Sequence, residues 1–443
     1  MAKAENPYKE LTSRLWFLVI ALIVYRVGAH IPVPGVNLDR IRDMFSSGDG
    51  SIFQLFNMFS GGALSNASLL ALGVAPYISA SIVMQLMSHM YPPLKELRQQ
   101  GSSGQKKINY YTRYLTLVLA VVQAFAISRT VQAQGMALVQ GGSFVLTATI
   151  ALTAGALFMM WLGEQITERG IGNGISMLIF AGIAVGMPAG IGVLIQQAKV
   201  GDIRYEKFFL MIAIILALFA LIVWVERAQR RIAIHYAKRQ GMVGQAMGQR
   251  QFLPLKINMA GVIPAIFASA IITLLVSGLA LIGNMLPGSA GRYVADVASN
   301  LGGSQSSWLY IATFSLLIVL FSFFYTAMMF ENREMAENLK KSNAFIQGFR
   351  PGKQTADYLD MVQERLTFVG AIYVAFVCVL PSLMQLGSAT GSVMFLFGGT
   401  SILIAVVVAM DFVSQVQSHI MSKKYESLMK KANLSGFGGQ YHR

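Results

Sequence analysis

Side chains that could carry out bond chemistry are sparse in this sequence and lack the spacing that enzymes need. The histidines are far apart along the chain, at His30, His89, His235, His419 and His442. No two of them are four residues apart, so the H-E-x-x-H zinc motif is absent, and no G-x-S-x-G nucleophile motif occurs. The one cysteine, Cys378, lies in an apolar run, where a small inert side chain is the ordinary role. We therefore expect no catalytic residue, no metal site and no cofactor.

Residues 168–176, ERGIGNGIS, resemble a phosphate-binding loop in their glycine content. Phosphate-binding loops follow a β-strand and contain a lysine, whereas this stretch follows an apolar run and contains no lysine. A tight turn between two apolar segments, with glycines at positive φ, explains the composition better.

Two pairs of aliphatic residues have the spacing of one helical turn, namely Val74 with Ile78 and Ile175 with Ile179. Residues four apart share a helix face. Such pairs usually pack against lipid or against other helices. They also fit an aliphatic constriction, which closes by dewetting and touches a passing chain without gripping it.

Residues 57–82, NMFSGGALSNASLLALGVAPYISASI, begin as a poor membrane span. From Phe59 to Gly73 the stretch is small, neutral and rich in Ser, Gly and Asn, so it is too polar to face lipid. It also carries too little charge for an ordinary soluble loop. Only after Ala75 and Pro76 does an apolar run follow, so the location of the first part is the main question that the sequence poses.

The elements that position these residues are membrane spans. Of the 443 residues, 55% are hydrophobic and only 12% are charged, with a mean hydropathy of +0.56, whereas a soluble domain has about 25% charged residues. A helix needs about 20 mostly apolar residues to cross a bilayer. Runs of this kind lie at 15–35, 75–91, 114–134, 145–163, 175–195, 208–225, 260–283, 308–330, 367–386 and 395–415. The sequence therefore predicts an all-α polytopic membrane protein with ten transmembrane helices.

The basic residues predict the orientation of these spans. Of the 35 Lys and Arg residues, 27 fall in one set of loops and six in the other. Because basic loops stay in the cytoplasm, both termini are expected there. Five spans on each side of residues 196–207 then give two halves of opposite orientation, which is an inverted repeat with its pathway near the membrane midplane. The predicted domains are an N-terminal half, 1–195, a C-terminal half, 196–415, and a cytoplasmic tail, 416–443.

Charged groups inside the spans are almost absent. Coupled transporters usually need buried carboxylates, but Glu164 and Asp411 lie near predicted cytoplasmic ends. Arg26 is the clearest charge inside a span, where it would cost about 2.5–3.5 kcal/mol at a helix centre. We expect it to face protein or water, in a pairing role rather than in contact with substrate. A secondary transporter for a small solute stays the alternative to a channel, and an intramembrane enzyme has no supporting residues.

Two predicted cytoplasmic loops, 226–258 and 331–366, are long and basic. Orientation alone does not require loops of this length. A soluble partner with an acidic face would be steered to them electrostatically.

The sequence resembles the SecY family of protein-conducting channels from Leu15 to its C-terminus. The motifs that carry the resemblance, in chain order, are IPVPGV (31–36), NMFSGGALSNAS (57–68), APYISASI (75–82), WLGEQITERGIGNGIS (161–176), VERAQRRIAIHYAKRQ (225–240), LPLKINMAGVIPAIFAS (253–269), NLKKSNAFIQGFRPGKQTADYLD (338–360), FGGTS (397–401) and YESLMKKANLSGFG (425–438). The resemblance is greatest to proteobacterial members.

The resemblance implies the central channel of a Sec translocon in the bacterial cytoplasmic membrane. Such a channel passes unfolded secretory proteins across the membrane and releases membrane segments sideways into lipid. The residues about 59–72 would form a short re-entrant plug helix that blocks the central pore at rest. A segment that sits in a protein-lined, water-filled cavity can be neither greasy nor highly charged. The implied plug residues are Phe59, Ser60, Gly61, Gly62, Ala63, Leu64, Ser65, Asn66, Ala67, Ser68, Leu69 and Leu70.

The family's pore ring matches six aliphatic positions of this chain. They are Val74, Ile78, Ile175, Ile179, Ile266 and Ile404. A lateral gate would lie between spans two and three on one side and spans seven and eight on the other, where signal sequences leave the pore for lipid.

The basic loops and the C-terminal tail would dock the SecA motor ATPase or the ribosome. The matching positions are Arg227, Arg230, Arg231, Lys238, Arg239, Arg350, Lys353 and Tyr425. Relatives often carry Gly-Arg-Arg near residues 242–244, where this chain has Met242, Val243 and Gly244. The resemblance also implies the small subunits SecE and SecG as partners.

Overall fold

The computed structural model describes residues 9–41, 57, 60–138, 141–200, 205–236, 251–285, 289–302, 307–385 and 399–431. Most of these residues are helical, as the composition predicts. The helices of the first 230 residues are α1 Lys9–Gly28, α2 Ala75–Met90, α3 Pro92–Gln99, α4 Ser102–Ala133, α5 Gly142–Arg169, α6 Gly174–Val200 and α7 Tyr205–Arg227. The later elements are β1 Gln229–Tyr236, β2 Gln251–Lys256, α8 Ile263–Met285, α9 Ser289–Gly302, α10 Trp308–Met329, α11 Asn332–Lys341, β3 Ala344–Ile346, α12 Lys353–Gln385 and α13 Gly399–Lys431.

Eight helical stretches of the described chain are long and apolar enough to cross a membrane. They are Glu10–Gly28, Ser102–Ala133, Gly142–Arg169, Gly174–Val200, Phe208–Arg227, Trp308–Lys341, Lys353–Leu383 and Gly399–Ser422. The remaining two predicted spans coincide with shorter helical segments: α2 has 16 residues, and the apolar part of α8 is Ile263–Val276. The polytopic class is confirmed, while the number of ten spans stays a prediction.

The first predicted span, 15–35, is wrong at its end. Helix α1 ends at Gly28, and Pro32 and Pro34 follow within the predicted range. Proline has no N–H for the helical ladder and clashes with the preceding turn. The residues after α1 are therefore not helical, and their backbone pairs with other segments of the chain.

The described chain forms two compact units. The first comprises Met1–Met84, Leu97–Ala189 and Val408–Arg443, and the second comprises Gln85–Glu96 and Gly190–Val407. The predicted inverted halves, 1–195 and 196–415, concern orientation in a membrane rather than compactness, so they stay a prediction.

In the first unit, α5 packs against both α1 and α4. Small side chains line these contacts, among them Ala120 and Ala124 of α4 and Ala148 and Ala156 of α5, all buried. Small residues let helix backbones approach closely, which is the usual basis of helix packing in membranes. A bidentate ion pair also joins α4 to α5, with Arg113 Nη2 2.8 Å from Glu164 Oε2 and Arg113 Nε donating to Glu164 Oε1 at 2.9 Å.

In the second unit, α8 packs against α9 and α10, and α12 packs against α10 and α11. Strands β1, β2 and β3 form an antiparallel sheet in the order β2-β1-β3. The register places Arg231 opposite Pro254 and His235 opposite Phe345. This sheet was not predicted from the sequence.

Candidate functional site

The plug segment, residues 60–72, is a succession of turns in the structure. Its backbone N–H groups donate to carbonyls at changing distances along the chain: three residues back from Ala63 to Ser60, four from Asn66 to Gly62 and five from Ser68 to Ala63. An α-helix keeps a constant spacing of four residues, so no regular helix forms here. The expected plug helix is therefore wrong for the described residues. Three positive φ angles explain this, at Gly61 (63°), Gly62 (82°) and Ala67 (45°), because a right-handed helix requires negative φ throughout.

Backbone hydrogen bonds attach the plug segment to the residues that follow α1. Pro32 and Ser68 form an antiparallel bridge, Val33 N donates to Ala67 O at 2.7 Å, and Leu69 N donates to Ile31 O at 2.8 Å. The family motif IPVPGV thus supplies a short extended edge on which the plug segment folds.

The plug segment is also buried within the first unit. Leu64 and Leu72 belong to an apolar cluster that includes Phe144 and Leu152 of α5. An added Cβ at Gly155 of α5 would lie 1.9 Å from Leu69 O, so the backbone of α5 runs against the plug segment at a distance that only glycine permits. Of the twelve predicted plug residues, Phe59 lies outside the described residues, and the other eleven are buried or half-buried.

Side chains of α1 contact the start of the plug segment. The Tyr25 hydroxyl donates to Ser60 O at 2.9 Å, and Arg26 Nη1 donates to Gly61 O at 3.1 Å. The intramembrane arginine therefore has an acceptor within the protein, in agreement with the expected pairing role.

The four ring positions of the first unit keep the relation that the sequence predicted. Ile78 N donates to Val74 O at 3.0 Å, which places these residues one helical turn apart, and Ile175 and Ile179 share α6. Val74 and Ile179 are buried, with 3% and 2% of their surfaces exposed, whereas Ile78 and Ile175 are half-buried. Ile175 Cδ1 would lie only 2.4 Å from a Cβ at Gly163, so this side chain packs on α5.

The other two ring positions belong to the second unit. Ile266 on α8 and Ile404 on α13 are both buried. The six-residue ring as a whole stays a prediction.

The two basic loops converge on one small α/β module, which consists of the sheet, α11 and the first turns of α12. Ile232 of β1, Leu255 of β2 and Ile346 of β3 share a core with Leu359 and Val362 of α12. Strands from loops about 90–110 residues apart in sequence are thus joined in a single unit, with a packed apolar interior as soluble domains have. The two loops are therefore parts of one surface rather than independent arms.

Predicted docking residues lie on this module. Arg230 and Arg231 of β1 are exposed, as is Lys353 at the start of α12. Arg350 is exposed between β3 and α12, and its carbonyl accepts a hydrogen bond from Thr355 Oγ1 at 2.9 Å. Arg227 ends α7 just before β1. Lys238, Arg239 and the altered stretch from Met242 to Gly244 lie outside the described residues, as does the side chain of Tyr425 on α13.

The sequence of β1 carries a signal for a strand. In QRRIAIHY, β-branched Ile232 and Ile234 alternate with Arg231, Ala233 and His235, which is the period of a half-buried strand. The structure buries both isoleucines. Among the described residues, no group of three or more His, Cys, Asp or Glu side chains could hold a metal ion.

Comparison with known proteins identifies the family of the chain. The SecY family model matches residues 68–413. The chain belongs to the SecY family. The protein translocase subunit SecY of Pseudomonas aeruginosa is 53% identical over 438 residues, covering 99% of this chain and 97% of that protein. SecY of Escherichia coli K12 is 48% identical over 440 residues, covering 98% and 97%.

Solved structures share the SecY fold. A protein-conducting channel aligns with a TM-score of 0.66 and 19% identity, covering 96% of both chains. A SecY structure described by its plug domain, which stabilises the closed state and maintains a membrane seal, gives the same values. Sec61 in a canine ribosome-channel complex aligns with a TM-score of 0.62 and 18% identity, again covering 96% of both chains. At this level of identity, the alignments show the fold alone.

Proposed function

We propose that this chain is the central protein-conducting channel of a Sec translocon. It passes unfolded secretory proteins across the bacterial cytoplasmic membrane and releases membrane-protein segments sideways into lipid. The observation that carries the proposal is 53% identity, over nearly the whole of both chains, to a protein translocase subunit. The chain catalyses no bond chemistry in this role.

The plug segment closes the resting pore. Its turns, its bridge from Ser68 to Pro32 and its burial against α5 give it a defined position within the first unit. Polar, irregular backbone is tolerated within a membrane where protein or a water-filled cavity surrounds it. When a substrate chain enters, the plug segment leaves this position.

The six aliphatic ring residues then surround the passing chain. Branched aliphatic side chains exclude water and ions around the chain, yet they form no hydrogen bonds with it, so sequences of any kind can slide through. Val74 has one methylene fewer than isoleucine, which loosens the ring only slightly. A signal sequence partitions from the lateral gate into lipid because burial of each CH₂ group contributes about 0.8 kcal/mol.

Energy for transport comes from partners rather than from this chain. The α/β module presents exposed Arg230, Arg231, Arg350 and Lys353 to the SecA motor ATPase or to the translating ribosome. SecE and SecG complete the membrane complex. Both termini and the module lie in the cytoplasm, as the distribution of Lys and Arg predicts.

A disulfide crosslink tests the proposal at the ring. A single cysteine replaces Ile266 in a Cys378→Ser background, and a stalled secretory precursor carries a second cysteine. During SecA-driven transport in vesicles that contain SecE and SecG, we expect a disulfide that requires ATP and a functional signal sequence. The matched control is Leu275→Cys, because Leu275 lies on the same helix but is half exposed and should not react.

Two results would count against the proposal, one against the ring assignment and one against the translocase function. Transport of the precursor without crosslinks at Ile266, Ile78 or Ile404 would show that the ring assignment is wrong. Failure of transport with all partners present would show that the translocase function is wrong, and uptake of a small solute by the purified chain would then be the alternative to measure.

A further inference from the structure

Two adjacent side chains of α1 hold the start of the plug segment. Tyr25 is 2% exposed, and its hydroxyl finds its acceptor in Ser60 O at 2.9 Å. Arg26, in the last turn of α1, donates to the next carbonyl, Gly61 O, at 3.1 Å. Buried polar hydrogens are costly to leave without an acceptor, so both contacts favour the seated position of the plug segment.

Gly61 fits tightly between Tyr25 and α6. An added Cβ at Gly61 would lie 2.6 Å from the Tyr25 hydroxyl oxygen and 2.7 Å from Gly182 Cα, and the φ angle of Gly61 is +63°. A side chain at this position would therefore strain the backbone and collide with two elements at once. Helices α1 and α6 thus both contact the plug segment at Gly61. The two side-chain hydrogen bonds from α1 are made at this residue and at the preceding Ser60.

The later part of the plug segment is held differently. The bonds from Val33 N to Ala67 O and from Leu69 N to Ile31 O are both between backbone groups, so they depend little on side-chain identity. A cavity lined by Leu64, Ala71, Ile127 and Phe144 lies along the same part, so its apolar packing against α4 and α5 is incomplete. Ser68 adds one bond from its own side chain, from its Oγ to Gly28 O at 3.0 Å. The side chains of α1 that donate to the plug segment, Tyr25 and Arg26, do so at Ser60 and Gly61.

We propose that Tyr25 and Arg26 form a latch that holds the plug segment in its seated position and sets how readily the channel opens. This inference rests on the proposed function, since seating closes a pore only if the chain is a channel. The latch donates to backbone carbonyls, which every polypeptide carries. When the plug segment leaves, water or the carbonyls of the passing chain can accept the same hydrogen bonds, so the latch opens without leaving charged or polar groups buried and unsatisfied.

Cysteine accessibility measures the latch directly. Ser60→Cys in a Cys378→Ser background places a near-isosteric thiol at a position that is 2% exposed. The full chain is purified in complex with SecE and SecG, and the rate of labelling by a water-soluble maleimide is measured. Loss of the neutral hydrogen bond in Tyr25→Phe should raise the rate by about threefold to tenfold, and loss of the charged donor in Arg26→Met by about tenfold or more.

Three controls separate a latch from a general structural role. Arg26→Lys keeps a charged donor, so its rate should lie between the wild-type rate and that of Arg26→Met. Tyr111→Phe removes the hydroxyl of an exposed tyrosine on α4 and should leave the rate unchanged. A cysteine at Thr116, which is fully buried on α4 and does not line the cavity beside the plug segment, should stay slow to react in both latch variants.

Unchanged labelling of Ser60→Cys in Tyr25→Phe and Arg26→Met would overturn the latch. Equal acceleration at Thr116→Cys would also overturn it, since the whole unit would then have loosened. Labelling requires neither motor nor precursor, so the latch is tested independently of transport. Failure of the same complex to translocate a precursor would overturn the proposed function without changing the comparison of labelling rates.

Discussion

At the scale of single residues, glycine positions define how the plug segment is seated. Gly155 of α5 faces Leu69 O so closely that a Cβ would lie 1.9 Å from that oxygen. Gly142, on the same helix, has no atom within 4 Å of an added Cβ. A substitution at Gly155 therefore tests the contact between α5 and the plug segment. The same substitution at Gly142 shows the effect of replacing a glycine of α5 that makes no such contact.

Gly155→Val should push the plug segment from its seat. Overpacking at a tight contact costs about 1–3 kcal/mol, which here opposes the closed state. We expect more frequent ion-conducting openings of the resting channel in planar bilayers that contain the reconstituted complex. Gly142→Val should behave as wild type, and equal conductance of the two variants would contradict the described contact.

At the scale of elements, the α/β module unites two loops that are distant in sequence. Strand β1 pairs with β2 on one side and with β3 on the other, and its buried Ile232 packs on α12. The exposed arginines of β1 depend on this packing for their position, so a change in the core of the module should alter partner binding without touching a basic residue.

Ile232→Ala should destabilise the module by about 2–5 kcal/mol, the usual cost of removing a buried branched side chain. We expect faster proteolysis within residues 226–258 and weaker SecA binding, while conductance of the resting channel stays unchanged. Phe252→Ala is the matched control, because Phe252 is half exposed on β2 and little packing is lost. Equally weak SecA binding in both variants would show that the packed core of the module does not position the basic residues for SecA.

At the scale of the whole molecule, the asymmetry of charge predicts the orientation of the chain in the membrane. Twenty-seven of 35 Lys and Arg residues lie in the predicted cytoplasmic loops and termini. Basic residues resist translocation during insertion, so this bias predicts on which side of the membrane each loop lies.

Labelling in intact cells checks that orientation. In a Cys378→Ser background, Arg292→Cys on α9 and Lys341→Cys on α11 each introduce one thiol at an exposed position. A membrane-impermeant maleimide should label Arg292→Cys but not Lys341→Cys until the cells are permeabilised. The opposite pattern would reverse the predicted topology, and labelling of both before permeabilisation would contradict the ten-span arrangement.

The membrane class and most helix locations follow from the sequence alone, and the sequence also predicts the orientation. In lipid, an apolar run of about 20 residues must satisfy its own backbone hydrogen bonds, so a helix is the local solution wherever the run occurs. The pairs Val74 with Ile78 and Ile175 with Ile179 could be recognised for the same reason, because their spacing is a property of one helix. The prolines at 32 and 34 also gave a local signal for the end of α1, although the predicted span ran past them.

Only the tertiary structure decided how the plug segment folds and which loops pair. The turns of residues 60–72 depend on acceptors and donors from Tyr25, Arg26 and the backbone of residues 31–33, about 35 residues away in sequence. The partner of β1 at Ala344–Ile346 lies about 110 residues further along. Composition predicted a segment that avoids lipid, but the hydrogen bonds that shape it come from other elements. No local pattern contains them, because each bond requires two distant parts of the chain to meet.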